Sequence, residues 1–167
     1  MAKERPRKLW TTAGEPRGWV TLDRMSFHDL PDDIRSVPLH DTVIQRDIVD
    51  LMLELDDRRA GAVAVMVCDD RGCGIQPIVV TDVPDDAPVT GLTSLLELLL
   101  PMVEEQRGSV LLARGRRRGL VPTDVDREWH QLAIDACAAH HVPLLGFHLA
   151  TPDGVEDLPG PLDAKAS

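Results

Sequence analysis

The run Ala62–Cys68 (AVAVMVC) is apolar at every position. Successive side chains of a strand point to opposite faces, so a strand with no polar face must be covered on both. This predicts a sheet with other layers packed against it. The turn signal Asp69–Gly72 (DDRG) follows, then a second strand over Ile75–Thr81, and the two form a β-hairpin. Pro77 has no N–H to give to a ladder, which places the return strand at an edge or beside a bulge. Asp82–Pro88 reads as a polar, acidic loop.

Three amphipathic stretches supply the covering layers. In the first, Thr42–Arg59, the residues Ile44, Ile48, Leu51, Met52 and Leu55 recur on one face of a 3.6-residue helix. Thr42 and Gln45 have the spacing of a capping box, and Asp47, Asp50, Glu54 and Asp57 form a solvated face. The second, Leu92–Gln106, is leucine-rich, is closed by Gly108, and carries Pro101, which should kink or divide it. The third begins with Thr123 as N-cap and Asp126 as its capping-box partner, and buries Val125, Trp129, Leu132, Ala133 and Ala136. Strands are expected at Ser109–Ala113, Val142–Ala150 and Val155–Leu158, the last after a turn at Pro152–Gly154.

The order helix, hairpin, helix, strand, helix, strand, strand predicts an α/β sandwich of two or three layers. A mixed sheet of about five strands packs with three helices. Residues 41–158 form the single domain, with Val65, Leu51, Leu111 and Trp129 among its buried positions. Residues 1–40 read as a loosely ordered tail, with four prolines and only Trp10, Trp19 and Phe27 as aromatic anchors. Trp10 and Trp19 are candidate contacts to the domain or to a partner. Residues 159–167 read as a second tail.

The net charge of -10 over 167 residues argues against general affinity for nucleic acid or membranes. Two basic clusters stand out, one in Met1–Lys8 and one in Arg114–Gly119 (RGRRRG). The rest of the chain carries about -17 by counting unit charges. Three cysteines with no CxxC spacing read as free thiols in a reducing compartment, so the expected location is cytoplasmic. Cys68 and Cys137 are expected to be buried, and Cys73, beside the turn, exposed. The basic start lacks the apolar core of a secretory signal, and no apolar run approaches the ~20 residues of a membrane span.

The arginine cluster leads from a strand into a helix N-terminus, where free amides and the helix dipole favour negative charge. This predicts an anion site built from Arg114, Arg116, Arg117, Arg118 and Thr123. Against it stands the plainer reading that these arginines pair with the chain's own acids. Asp126 and His130 lie four apart on one helix side and are weak metal candidates, with no third ligand visible. Capping is the simpler role for Asp126. His140 and His141 suit the end of a helix, and His148 reads as a hydrogen-bonded core histidine. No phosphate loop, nucleophile elbow or zinc-protease helix occurs.

The same stretch carries a resemblance. Arg114–Gly119 stands where the JAB/MPN metalloprotease-like family, in its RadC-like branch, has His-x-His-Pro-x-Gly, and Pro122–Asp126 (PTDVD) is similar to the family's Pro-Ser-x-x-Asp. Pro143–Ala150 (PLLGFHLA) also looks like the family's closing strand. The resemblance covers Thr42–Leu158 and implies a JAB/MPN-like layout, akin to that of cytidine deaminases. Family members hold zinc through the two histidines and the aspartate, with a glutamate as general base. Here only Asp126 matches. Arg114 and Arg116 replace the histidines, and a guanidinium has no lone pair for a metal. The glutamate position falls near Ala60 or Gly61, neither of which can move a proton.

The resemblance therefore implies a member without metal or cofactor: a non-catalytic module that binds a protein partner. The arginine loop would engage an anionic group. The alternative is a hydrolase of a phosphate- or carboxylate-bearing substrate, with Asp126, His130 or His148 transferring protons. A second alternative is a nucleic-acid accessory factor, which the acidic bulk charge disfavours; a homodimer is compatible with the sequence.

Overall fold

The computed structural model describes Arg7–Lys8, Thr11–Thr12, Glu15–Pro16, Trp19–Thr21 and residues 35–159. The apolar run becomes strand β5 (Ala62–Cys68) and sits inside the sheet, antiparallel to β6 (Gly74–Thr81) and to β7 (Ser109–Gly115). β7 pairs in parallel with β8 (Leu144–Thr151), which β9 (Gly154–Asp157) continues antiparallel. Beyond β6, β4 (Trp19–Thr21) and then β1 (Arg7–Lys8) complete a seven-stranded mixed sheet. Two further short strands, β2 (Thr11–Thr12) and β3 (Glu15–Pro16), pair with each other. Residues predicted as tail thus contribute strands. Trp10 and Phe27 lie outside the described residues.

Each face of the sheet has its own core. Helices α1 (Thr42–Met52) and α2 (Leu55–Ala60) cover one face, packing Ile48, Val49 and Met52 on Ala62, Ala64, Met66, Leu111 and Ala113. Helices α3 (Val89–Glu105) and α4 (Asp124–Ala139) cover the other, around Val63, Val65, Leu112, Trp129 and Phe147. Adjacent β5 residues serve opposite cores, as its uniform apolarity requires. The expected α/β sandwich is present, with four helices among the described residues rather than three.

The extra helix arises because the predicted Thr42–Arg59 helix breaks at Leu53–Glu54. Buried Arg58 folds back and donates from Nε to the Leu53 carbonyl (2.8 Å), from Nη1 to the Thr151 carbonyl (3.0 Å) and from Nη2 to Asp50 Oδ1 (2.7 Å). A cation placed on the last carbonyls ends α1, and a Glu54–Asp57 capping box restarts the chain as α2. The α1 cap is Asp41, whose carboxylate accepts from Val43 N at 2.7 Å, not Thr42. The buried stripe is likewise rotated to Gln45, Ile48, Val49 and Met52, leaving Leu51 and Leu55 exposed.

Other differences are local. Leu39 is fully buried and its N–H reaches the Gly72 carbonyl (2.8 Å), so packing begins before residue 41. Cys73 is buried beside Asp69, whose carboxylate holds the hairpin turn through Arg71 N and Cys73 N. Pro77 lies on β6 where β4 does not reach, since β4 pairs only with Val79–Thr81. α3 runs unbroken through Pro101, because both Pro101 and Glu97, whose carbonyl loses its donor, are solvent-exposed.

The ends of α3 and α4 share one device. Gly108 N bonds the Val103 carbonyl (2.8 Å) and Val142 N the Cys137 carbonyl (2.9 Å), each one residue after a left-handed Arg107 (φ 56°) or His141 (φ 55°). Gly108 is thus not the left-handed residue; it is glycine because a Cβ would sit 2.3 Å from the Cys68 carbonyl oxygen. Since left-handed backbone strains an L-residue, His141→Gly is expected to stabilise the fold by about 0.5–1 kcal/mol. Urea denaturation checks this.

Candidate functional site

β7 does not stop at Ala113 but runs through Arg114 to Gly115. Arg114 therefore occupies a core position, 1% exposed, on the α3/α4 face. Its guanidinium lies 4.6 Å over the Trp129 ring, and Nη2 donates to the Asp85 carbonyl. Nη1 approaches Asp126 Oδ1 at 3.1 Å as a charge contact rather than an aligned hydrogen bond. Burial lowers the Arg114 pKa from its ordinary value, while Asp126 and Asp85 pull it back.

Arg116 turns inward as well. Its Nε donates to Asp126 Oδ2 (3.1 Å), Nη1 to the Arg118 carbonyl (2.6 Å) and Nη2 to the Val121 carbonyl (2.7 Å). Asp126 has no exposed surface, and its Oδ2 also accepts from Thr123 N (2.8 Å). The Thr123 hydroxyl accepts from Asp126 N (3.2 Å), which completes the expected capping box. One carboxylate thus binds two guanidinium groups and the start of α4. The loop between is further fixed by Arg116 N on the Ala150 carbonyl (3.0 Å) and Gly119 N on Asp153 Oδ2 (2.9 Å).

The five residues expected to form an anion site are therefore split. Arg114 and Arg116 are occupied by internal acceptors, and the Thr123 hydroxyl is a cap. Arg117 and Arg118 remain exposed, with no ion pair among the described residues. The plainer expectation, pairing with the chain's own acids, describes Arg114 and Arg116.

Asp126, His130 and His148 do not converge. His148 lies on the α1 face, beside Ala113 in the ladder, whereas Asp126 lies on the α4 side. His148 is fully buried, and its Nε2 is 2.8 Å from Gln45 Oε1. The Gln45 amide nitrogen donates to the Leu39 (2.8 Å) and Leu145 (3.1 Å) carbonyls, so its oxygen must face the imidazole and accept from Nε2–H. Nδ1 then carries the lone pair and has no hydrogen-bond partner among the described residues. Burial pushes the His148 pKa down to about 4.

His130 is half-buried, its ring centroid 5.1 Å from that of Phe147, and burial lowers its pKa. His140 faces Glu104 Oε2 at 3.3 Å instead of a helix carbonyl. Burial also raises the Cys68 and Cys137 thiols to about 12, which keeps them protonated and unreactive. No group of three His, Cys, Asp or Glu side chains suited to a metal occurs among the described residues. No helix there is long and apolar enough to cross a membrane.

Two features escaped the sequence. One is the Gln45–His148 pair, whose only signal was Gly146, a glycine inside a strand. A Cβ there would lie 2.4 Å from Gln45 Oε1. The other is a cleft of about 400 Å³ between α1, α4 and the β8 edge, which no local pattern encodes. Comparison with protein-family models and with curated proteins found no match.

Proposed function

We propose that this chain is a non-catalytic binding module of JAB/MPN-like, RadC-like design, acting on a protein partner in a reducing compartment. The observation that carries the reading is the Arg114–Asp126–Arg116 cluster. The resemblance aligns these three positions with two histidines and an aspartate around zinc, and here they meet within 3.1 Å of one another's charged atoms. The two guanidinium groups take the metal's electrostatic part, balancing a buried carboxylate, but cannot lower the pKa of a bound water. Near the position aligned with the general base, Gly61 has φ 85°, and its Cβ would lie 1.9 Å from the Val83 carbonyl oxygen, leaving no room for a side chain. The three cysteines are free and buried, as a reducing compartment suits.

The reading predicts that restoring imidazoles restores metal affinity. R114H/R116H, equilibrated with zinc and dialysed, is expected to retain stoichiometric metal, and the wild type none. Elemental analysis reads both, and cobalt substitution should show tetrahedral absorption in the double variant only. Wild-type protein that keeps zinc and cleaves peptide bonds overturns the reading.

A further inference from the structure

The side of α4 next to β8 and the C-terminal end of the sandwich carries a groove that nothing above assigns. It consists of two depressions, of about 260 Å³ and about 400 Å³, which meet at His130, Ile134 and Leu158. The smaller begins at Pro122, where the arginine loop ends. The larger is lined by Leu144 and Phe147 on β8, ahead of the stretch that β9 pairs, where Leu158 N bonds the Phe147 carbonyl (2.8 Å) and Gln45 the Leu145 carbonyl (3.1 Å). The walls are mainly apolar.

The loop at the head of this groove presents three exposed side chains on a fixed backbone. Arg116, bound to the Arg118 and Val121 carbonyls, holds the chain on either side of Arg117 and Arg118. Arg46, Arg58, Arg59, Arg71 and Arg127 all have carboxylate partners; Arg107, just past the end of α3, and the adjacent pair Arg117 and Arg118 have none among the described residues. Val121, 79% exposed, is the most exposed of the large apolar residues described. On a chain of net charge -10, two adjacent exposed arginines without carboxylate partners, four and five positions before Pro122, draw negative charge toward that end of the apolar groove.

We infer that the groove takes an extended peptide with acidic residues at one end, over Arg117 and Arg118, and apolar residues along α4. This inference rests on the binding-module reading and names the partner's chemistry. Charge fixes the direction of the peptide, the apolar depressions supply contact area, and Arg116 acts as a positioning residue by pre-forming the loop.

The test uses the full chain and a fluorescent peptide with a glutamate-rich half and a leucine-rich half, read by anisotropy. R117E/R118E is expected to weaken binding about tenfold, because charge reversal sets like charges against the acidic end of the peptide. Added salt should weaken wild-type binding. Gln131→Trp, on an exposed turn of α4, fills the smaller depression without entering the core and should also block the peptide. Arg59→Glu, on the opposite face, should leave it unchanged. A wild-type protein that ignores the peptide overturns the inference. So does equal binding of a lysine–leucine twin or of oligoglutamate, or equal loss in Arg59→Glu. The zinc experiment reads the Asp126 cluster and the peptide experiment reads Arg117 and Arg118, so loss of peptide binding alone leaves the module reading standing, whereas failure of that reading removes the ground of this inference.

Discussion

Asp126→Ala is expected to destabilise the fold by about 3–5 kcal/mol, the usual cost of stranding a buried charge by removing its partner. Two cations are stranded at once. Arg114 is 1% exposed with Trp129 on one side, and Arg116 is 8% exposed. The same substitution removes the Thr123 N acceptor and half of the α4 capping box. For a chain of this size the melting temperature should fall by roughly 10 °C. Asp126→Asn, which keeps an acceptor but not the charge, should fall between alanine and wild type. The penalty belongs to the unpaired state rather than to the pair. Arg114→Met combined with Asp126→Asn should therefore lose less than the sum of the two single losses, because these residues share one network. Additive losses would show that the carboxylate does not neutralise Arg114.

The same cluster explains how far the sequence could be read. The sheet was legible because its signal is local. Ala62–Cys68 and Val110–Ala113 are short apolar runs, the first bounded by the Asp69–Gly72 turn and the second preceded by Gly108, which marks doubly covered strands without tertiary information. The α4 start was legible for the same reason, since a capping box spans four residues. The fate of the arginines was not. A run of four cations reads as a surface loop. Whether Arg114 faces water depends on how far β7 extends, on Trp129 across the core, and on Asp126 ten positions beyond Arg116. The α1 face was misread because Arg58 ends the helix through carbonyls of Leu53 and of Thr151, the latter 93 residues away. With the helix ended there, Gln45 faces inward to a histidine 103 residues away and Leu51 turns out. Long-range polar contacts of this kind leave no periodic trace, and they decide which arginines remain to meet a partner.

His148 makes the fold sensitive to acid. Its folded-state pKa of about 4 lies below the unfolded value of about 6.5, so between those values the unfolded chain binds the additional proton. Stability from this group is therefore complete above pH 6.5, declines as the pH falls, and levels off below pH 4. A difference of that size corresponds to about 3 kcal/mol. Burial is the main cause; Asp157, which Arg46 holds at 2.6 Å, opposes it, and Arg46 adds a smaller push in the direction of burial. The new proton would enter on Nδ1, which faces no acceptor among the described residues, because Gln45 fixes the existing proton on Nε2. Asp157 itself is held below the usual carboxylate range by Arg46, so its contribution begins to fade only near the acid end of this window and is lost mainly below it. His130, also lowered by burial, adds to the slope with the same sign. Urea midpoints measured from pH 7 to pH 4 should therefore fall for the wild type and fall much less for His148→Gln, which cannot charge. Imidazole nitrogen shifts should report His148 as the neutral Nε2–H tautomer down to about pH 5, with charging setting in as the pH nears 4; an unchanged slope in His148→Gln would place the acid sensitivity elsewhere.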